Sequence, residues 1–169
     1  MTLFFFLPIA AVVVISAILV IVLPNPIHSA LSLVVTFLGL AGLYVLLNAQ
    51  FVAAIQVIVY AGAIMVLFLF VIMLIDLDEK KRTRERHPLQ KAFGVILAPF
   101  VLAGIGTIVA TGVLYGNKGT ETAAKVSAVG NTKVLAGLLF TDWVLPFEIT
   151  SILLLAAIVG AIILSKKES

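Results

Sequence analysis

Cysteine is absent from this chain of 169 residues. That excludes disulfides and any zinc or iron–sulfur site built on thiolates. Charge is scarce as well. Asp, Glu, Lys and Arg make up 11% of the residues, against about a quarter in soluble domains. Hydrophobic residues make up 63%, and the mean hydropathy is +1.27. A water-soluble globule is excluded by that balance, and the chain reads as an all-α integral membrane protein. The pI near 9.3 does not argue for nucleic acid as a partner, because a few basic residues on one side of a membrane give the same value. The N-terminus lacks a basic n-region, and MTLFFFLPIAAVVV runs on into a full-length apolar stretch. It reads as a retained first helix, not a cleaved signal peptide.

What the chain does have is long apolar runs. Five spans are expected, at about residues 3–23, 27–47, 51–75, 92–114 and 145–164, all in a single membrane domain. Pro24-Asn25-Pro26 makes a tight turn between the first two, since proline ends one helix and is tolerated at the start of the next. Asn48-Ala49-Gln50 is the only break before the third. Connections this short force the first three spans into antiparallel hairpins. Pro99 is expected to kink the fourth span.

Loop 76–91 carries Lys80, Lys81, Arg82, Arg84, Arg86 and Lys91, and the tail adds Lys166 and Lys167. The positive-inside rule places both on the cytoplasmic side, with the N-terminus and loop 115–144 outside. Trp143 and Tyr115 then fall at external span ends, where aromatic belts form. Loop 115–144 has Lys118, Lys125 and Lys133 spread along it, and its Gly, Thr and Asn content suggests irregular structure. Small residues recur at helical spacing: Ser29, Ser32, Thr36 and Gly39 on span two, Gly106 and Ala110 on span four, Ala156 and Gly160 on span five. Such stripes let helix backbones approach closely in lipid, either within the bundle or against other subunits.

Ionisable residues inside a membrane mark proton and ion pathways. Spans one to four contain no Asp, Glu, Lys or Arg. His28 stands at the cytoplasmic start of span two and reads first as an interfacial polar residue. Glu148 stands in the first turn of span five, on the external side, where a helix N-terminus stabilises a carboxylate. The two lie on opposite sides and make no relay, which argues against a self-sufficient pump. No phosphate loop, nucleophile triad or metal-ligand cluster appears. Attention therefore turns to span three, FVAAIQVIVYAGAIMVLFLFVIMLI, an uncharged run of 25 residues. Gln56 and Tyr60 are four apart, which places them on one face of an α-helix. Gly62 costs about 1 kcal/mol relative to Ala in a helix interior. The step Ala61-Gly62-Ala63 is either the site of a π-bulge or a close-packing patch.

The segments NPIHSALSLVV, FVAAIQVIVYAGAIMVLFLFVIML and LPFEITSILLLAAIVGAI resemble the subunit J family of bacterial NADH-quinone oxidoreductase. This is respiratory complex I, whose mitochondrial counterpart is NADH dehydrogenase subunit six. The block IVYAGAIMVLF is the specific part. The resemblance implies a multi-pass subunit of the bacterial inner (plasma) membrane with no catalytic, cofactor-binding or metal-binding residue of its own. NADH, FMN, iron–sulfur clusters and quinone would then belong to other subunits. It implies partners in the membrane arm: small glutamate-bearing subunits, the quinone-site subunit and the antiporter-like subunits. It further implies a third helix whose π-bulge forms and relaxes, opening a water path toward the neighbours' glutamates. Residue by residue this carries to Tyr60, Ala61, Gly62, Ala63, Ile64, Met65 and Val66, with Gln56 and Glu148 as secondary polar candidates. The family's entry to the last helix matches Pro146, Phe147 and Glu148. Related membrane arms occur in photosynthetic ferredoxin–plastoquinone oxidoreductase, membrane hydrogenases and multi-subunit cation/proton antiporters, and these residues do not separate them. A stand-alone channel or transporter is the reading from another class, but such proteins show repeats and broken helices around a midplane site. No internal repeat is evident.

Overall fold

A computed structural model describes residues 2–75, 88–115 and 123–166, and every regular element in them is helical. The loop charges Lys80, Lys81, Arg82, Arg84 and Arg86, together with Lys118 and Lys167, lie outside the described residues. The elements are α1 (Thr2–Val22), α2 (Pro26–Leu46), α3 (Gln50–Ile55), a π-helical segment (Gln56–Ile64), α4 (Met65–Leu74), α5 (Pro88–Tyr115), α6 (Ala123–Val129), α7 (Asn131–Phe140) and α8 (Val144–Ser165). Among the described residues, five helices are long and apolar enough to cross a membrane: Leu3–Val22, Pro26–Leu46, Gln50–Leu74, Phe93–Gly112 and Val144–Ser165. The third of these runs unbroken through α3, the π segment and α4.

The residues group into two units, one of Met1–Met73 with Ala123–Ser169 and one of Leu74–Thr122. In the second unit α5 starts at Pro88, where a missing N–H costs nothing, and continues through Pro99 to Tyr115. Its hydroxyls turn back on the helix itself: Thr107 Oγ1 donates to the Gly104 carbonyl and Thr111 Oγ1 to that of Thr107, both at 2.8 Å.

In the first unit the turns follow from identifiable residues. Asn25 is the N-cap of α2, and its Oδ1 accepts from the Ile27 N–H at 2.9 Å and the His28 N–H at 3.5 Å. Pro26 occupies the first helical position behind that cap. At the far end of α2, Asn48 has φ +59. Its N–H bonds to the Val45 carbonyl at 3.0 Å, and the Ala49 N–H bonds to that of Tyr44 at 2.9 Å. This pair of bonds is a Schellman closure, with asparagine in the left-handed position that glycine usually takes. It reverses the chain into α3 within three residues.

Helices α1 and α2 form the tightest contact in this unit. A Cβ built on Gly39 would lie 2.5 Å from Cγ2 of Val13, and one on Gly42 would lie 3.6 Å from Ile9. Polar groups bind the same seam. Ser29 Oγ donates to the Val20 carbonyl across the turn. Thr36 Oγ1 donates to Ser16 Oγ at 2.8 Å, and Ser16 Oγ donates to the Val12 carbonyl at 2.7 Å. Both hydroxyl residues are buried. Two of the alternatives left open for the Ser29–Gly39 stripe are thus separated: at Ser29, Thr36 and Gly39 it packs against α1. The stripe on α8 differs, because a Cβ on Gly160 would meet no atom within 4 Å.

Loop 115–144 departs from expectation. It is not irregular where it is described, but holds α6 and α7, separated by Gly130 at φ +95. Its Gly and Thr content, averaged over the whole stretch, hid two runs, AAKVSAV and NTKVLAGLLF, in which Ala, Leu and Lys make up about half the residues. Gly130 is the single break that a side chain could not make without strain.

One methyl group at Gly39 has to displace Val13, a β-branched side chain with little rotamer freedom. Gly39→Ala is therefore expected to lower the thermal midpoint of the detergent-solubilised protein, and to be neutral or stabilising in a Val13→Ala background. The coupling expected from relieved overpacking is about 1–3 kcal/mol. Strictly additive melts of the single and double variants would contradict the close approach.

Candidate functional site

The centre of the third span is a π-helix of nine residues, Gln56–Ile64. Its two ends show where the register changes. The Gln56 N–H still bonds α-fashion to the Val52 carbonyl, four residues back. The Met65 N–H bonds to the Tyr60 carbonyl, five residues back. One extra residue is therefore accommodated between these points.

The buried positions record the same insertion. Along the span they are Ala53, Gln56, Ala61 and Met65, so the steps are three, five and four. An α-helix would have followed Gln56 with position 60 on the inner face. In the π register it is Ala61 that lies below Gln56. The expectation that Gln56 and Tyr60 share a face is therefore corrected: Gln56 is 8% exposed and Tyr60 is 45% exposed. The error lay in applying an α period across a π turn. Tyr60 packs instead against Phe37 of α2, edge to face, with ring centroids 5.7 Å apart and planes at 66°. Its hydroxyl and the Gln56 carboxamide make no hydrogen bond to any described residue.

Gly62 fits this geometry. A Cβ there would stand 3.2 Å from the carbonyl oxygen of Val57, five residues back. That is tighter than ordinary contact, and the crowded atom is backbone, which yields less readily than a side-chain end. Ala63 and Ile64 complete the π segment on its exposed side, and Met65 is the first residue of α4 and buried. Val66 is exposed and helps to line an apolar groove of about 230 Å³ with Leu69, Phe70 and Met73 of α4 and Ile27 of α2.

Glu148 is not brought to this centre. Helix α8 begins at Val144 and has no acidic residue in its first turn. Glu148 is thus one residue too deep for the first-turn dipole role expected of it. It is exposed, and its carbonyl accepts from Ser151 Oγ at 2.7 Å. Its neighbour Phe147 stacks edge to face on Phe140 of α7 at 5.1 Å. His28 is exposed at the start of α2. Among the described residues no three His, Asp or Glu side chains are grouped closely enough to hold a metal ion.

One residue near the third span was not foreseen. Asn131, the first residue of α7, accepts the Phe51 N–H on its Oδ1 at 3.4 Å. The sequence carried a faint signal for it. Ala49 precedes α3 and has no side-chain oxygen, so the start of that helix needs an acceptor from elsewhere. Nothing in the sequence says which of the distant residues supplies it.

Comparison with known proteins finds relatives along nearly the whole chain. Residues 16–164 match the family described as NADH-ubiquinone/plastoquinone oxidoreductase chain 6. The chain is 42% identical to NAD(P)H-quinone oxidoreductase chain 6 of Leptolyngbya boryana, over 94% of this chain and 77% of that one. It is 37% identical to NADH-quinone oxidoreductase subunit J of Rhodobacter capsulatus, over 92% and 77% respectively. With subunit J of Rickettsia typhi the identity is 34%, over 99% of this chain and 82% of the other. A match across nearly all the spans, π segment included, places this chain in the NADH-ubiquinone/plastoquinone oxidoreductase chain 6 family.

Proposed function

We propose that this chain is a membrane-arm subunit of a proton-translocating NADH:quinone oxidoreductase in the bacterial inner membrane. It has no active site of its own, and it helps to couple quinone reduction to proton movement through a change of register in its third span. The N-terminus lies outside and the C-terminus in the cytoplasm. NADH, FMN, iron–sulfur clusters and quinone are handled by other subunits, and buried carboxylates of neighbouring small subunits and antiporter-like subunits carry the protons.

The observation that supports this reading is the three-five-four spacing of the buried seam. Relaxing the π segment to an α-helix removes one residue from the turn and rotates the portion beyond it by about 100°. The seam would then run Ala53, Gln56, Tyr60, Ile64. A methyl group at Ala61 would give way to a phenol ring, and Met65 to a β-branched side chain. Two registers with different side chains against the same neighbours make a two-state element of the kind that coupling needs. Spans one to four bring no charge of their own to the pathway. The Gln56 amide and Tyr60 hydroxyl, without partners among the described residues, leave polar groups that water or a neighbouring subunit would satisfy.

A second reading follows from the breadth of the family, whose description covers plastoquinone as well as ubiquinone oxidoreductases. In it the chain is the equivalent subunit of a related quinone-reducing complex that takes electrons from a different donor. Purification in mild detergent separates the two. Flavin- and NADH-binding subunits in the isolated complex support the first, and a quinone-reducing complex without them supports the second. A stable homo-oligomer free of quinone-reductase partners would defeat both.

Gly62→Leu is expected to leave insertion intact, because the span becomes more hydrophobic. It crowds the Val57 carbonyl, so proton pumping per electron should fall while quinone reduction continues. A wild-type proton-to-electron ratio in proteoliposomes would count against a third span that moves. Tyr60→Phe keeps the ring against Phe37 and removes only the hydroxyl. If the hydroxyl supports a water path, the ratio drops; if the ring only packs, the ratio stays at the wild-type value and assembly is unaffected.

A further inference from the structure

The third span begins at a helix end that cannot cap itself. The first four N–H groups of any helix lack an intrahelical acceptor. An N-cap side chain usually serves the second or third of them. Here the N-cap is Ala49, which offers no side-chain oxygen. Phe51 is the second residue of α3, and its N–H goes to Oδ1 of Asn131, eighty positions further along. Asn131 therefore does the work of an N-cap from another helix.

Asn131 is itself held from both sides of α7. Gly130, at φ +95, turns the chain from α6 into α7, and its carbonyl accepts the Val134 N–H at 3.1 Å. At the other end of α7, Phe140 stacks on Phe147, and the Trp143 N–H bonds to the Leu138 carbonyl at 3.0 Å. Helix α7 thus ties the start of the third span to the start of α8. The first half of the third span is anchored twice more, by the Schellman turn at Asn48 and by the buried Ala53 and Gln56. Beyond the π segment only Met65 is buried in α4.

We propose that Asn131 is a positioning residue for the third span. It clamps the first turn, so that a register change in the π segment turns the half running from Ala61 to Leu74 and leaves Gln50–Ile55 in place. A one-residue change of register fixes only the relative rotation of the two halves; the clamp decides which half moves. This inference rests on the coupling reading above.

The test uses the assembled complex with Asn131→Ala and Asn131→Asp. Two quantities are read: hydrogen exchange of the amides in residues 48–56, and protons pumped per electron in proteoliposomes. Asn131→Ala should speed exchange at the Phe51 amide about fivefold, as loss of a typical cap does. It should also lower the proton-to-electron ratio while quinone reduction persists. Asn131→Asp keeps an acceptor and adds a charge that a helix N-terminus favours, so it should restore both. Unchanged exchange in the alanine variant refutes the clamp, whatever the complex does. Faster exchange with a wild-type ratio refutes the positioning role and leaves the coupling reading standing, since that reading fails separately if Gly62→Leu pumps normally. If the alanine variant does not assemble, the aspartate variant decides. Assembly with wild-type exchange and ratio supports the need for an acceptor, and failure of both variants to assemble overturns it.

Discussion

Hydrocarbon offers no hydrogen bonds, so every backbone N–H and C=O within a span has to be satisfied by the protein. Most features of this chain follow from that one constraint. It makes the chain helical, and it makes the ends of helices the places where sequence matters most. Asn25 caps α2, and Asn48 closes it through a left-handed turn. Asn131 caps α3 from a distance. Within the spans, Ser16, Ser32, Thr36, Thr107, Thr111, Thr150 and Ser151 all return their hydroxyls to carbonyls of their own helix or to the hydroxyl beside them. The π segment obeys the same rule. It gains a residue without leaving the backbone open, because its last N–H moves to the carbonyl five back.

Close approach is the second determinant, and it is local. Gly39 lets α1 and α2 meet with Val13 filling the space a side chain would take. Gly62 acts within its own helix, where the π turn brings the Val57 carbonyl up against it. The same residue type thus serves two ends: one glycine fixes a helix pair, and the other permits a register that a bulkier residue would crowd. Neither role depends on a positive φ; among the described glycines only Gly130 needs one.

Much of the fold was legible in the sequence. The five apolar runs, the Pro-Asn-Pro turn and the Asn-Ala-Gln break mark the spans to within a few residues, because length and hydrophobicity in a bilayer admit few alternatives. The candidate site was legible in its ingredients and not in its geometry. Gln56, Tyr60 and Gly62 stand out as polar or weak points in an apolar run. Which of them face inward depends on the helical period, and a π turn changes that period without changing composition. Hence Gln56 is buried and Tyr60 is not. The helices of loop 115–144 and the cap from Asn131 were less legible still. Average composition blurred the first, and the second is a contact between residues eighty apart that no local pattern encodes.

The third span is unusual in what it leaves unfinished. A buried carboxamide without a partner costs about 1–3 kcal/mol, and a protein that kept Gln56 there for packing alone would gain by replacing it with Leu or Met. The Tyr60 hydroxyl sits in the same position on the more exposed side of the helix. Neither group has a hydrogen-bond partner among the described residues, and both lie in the one described segment whose register is not α-helical. Spans without ionisable residues cannot carry a proton, but a span with open hydrogen-bonding sites can order the water or the neighbouring side chain that does. The proposed role asks no more of the span than a first half held by Asn131 and the Asn48 turn, and a nine-residue π segment whose register could be counted in two ways.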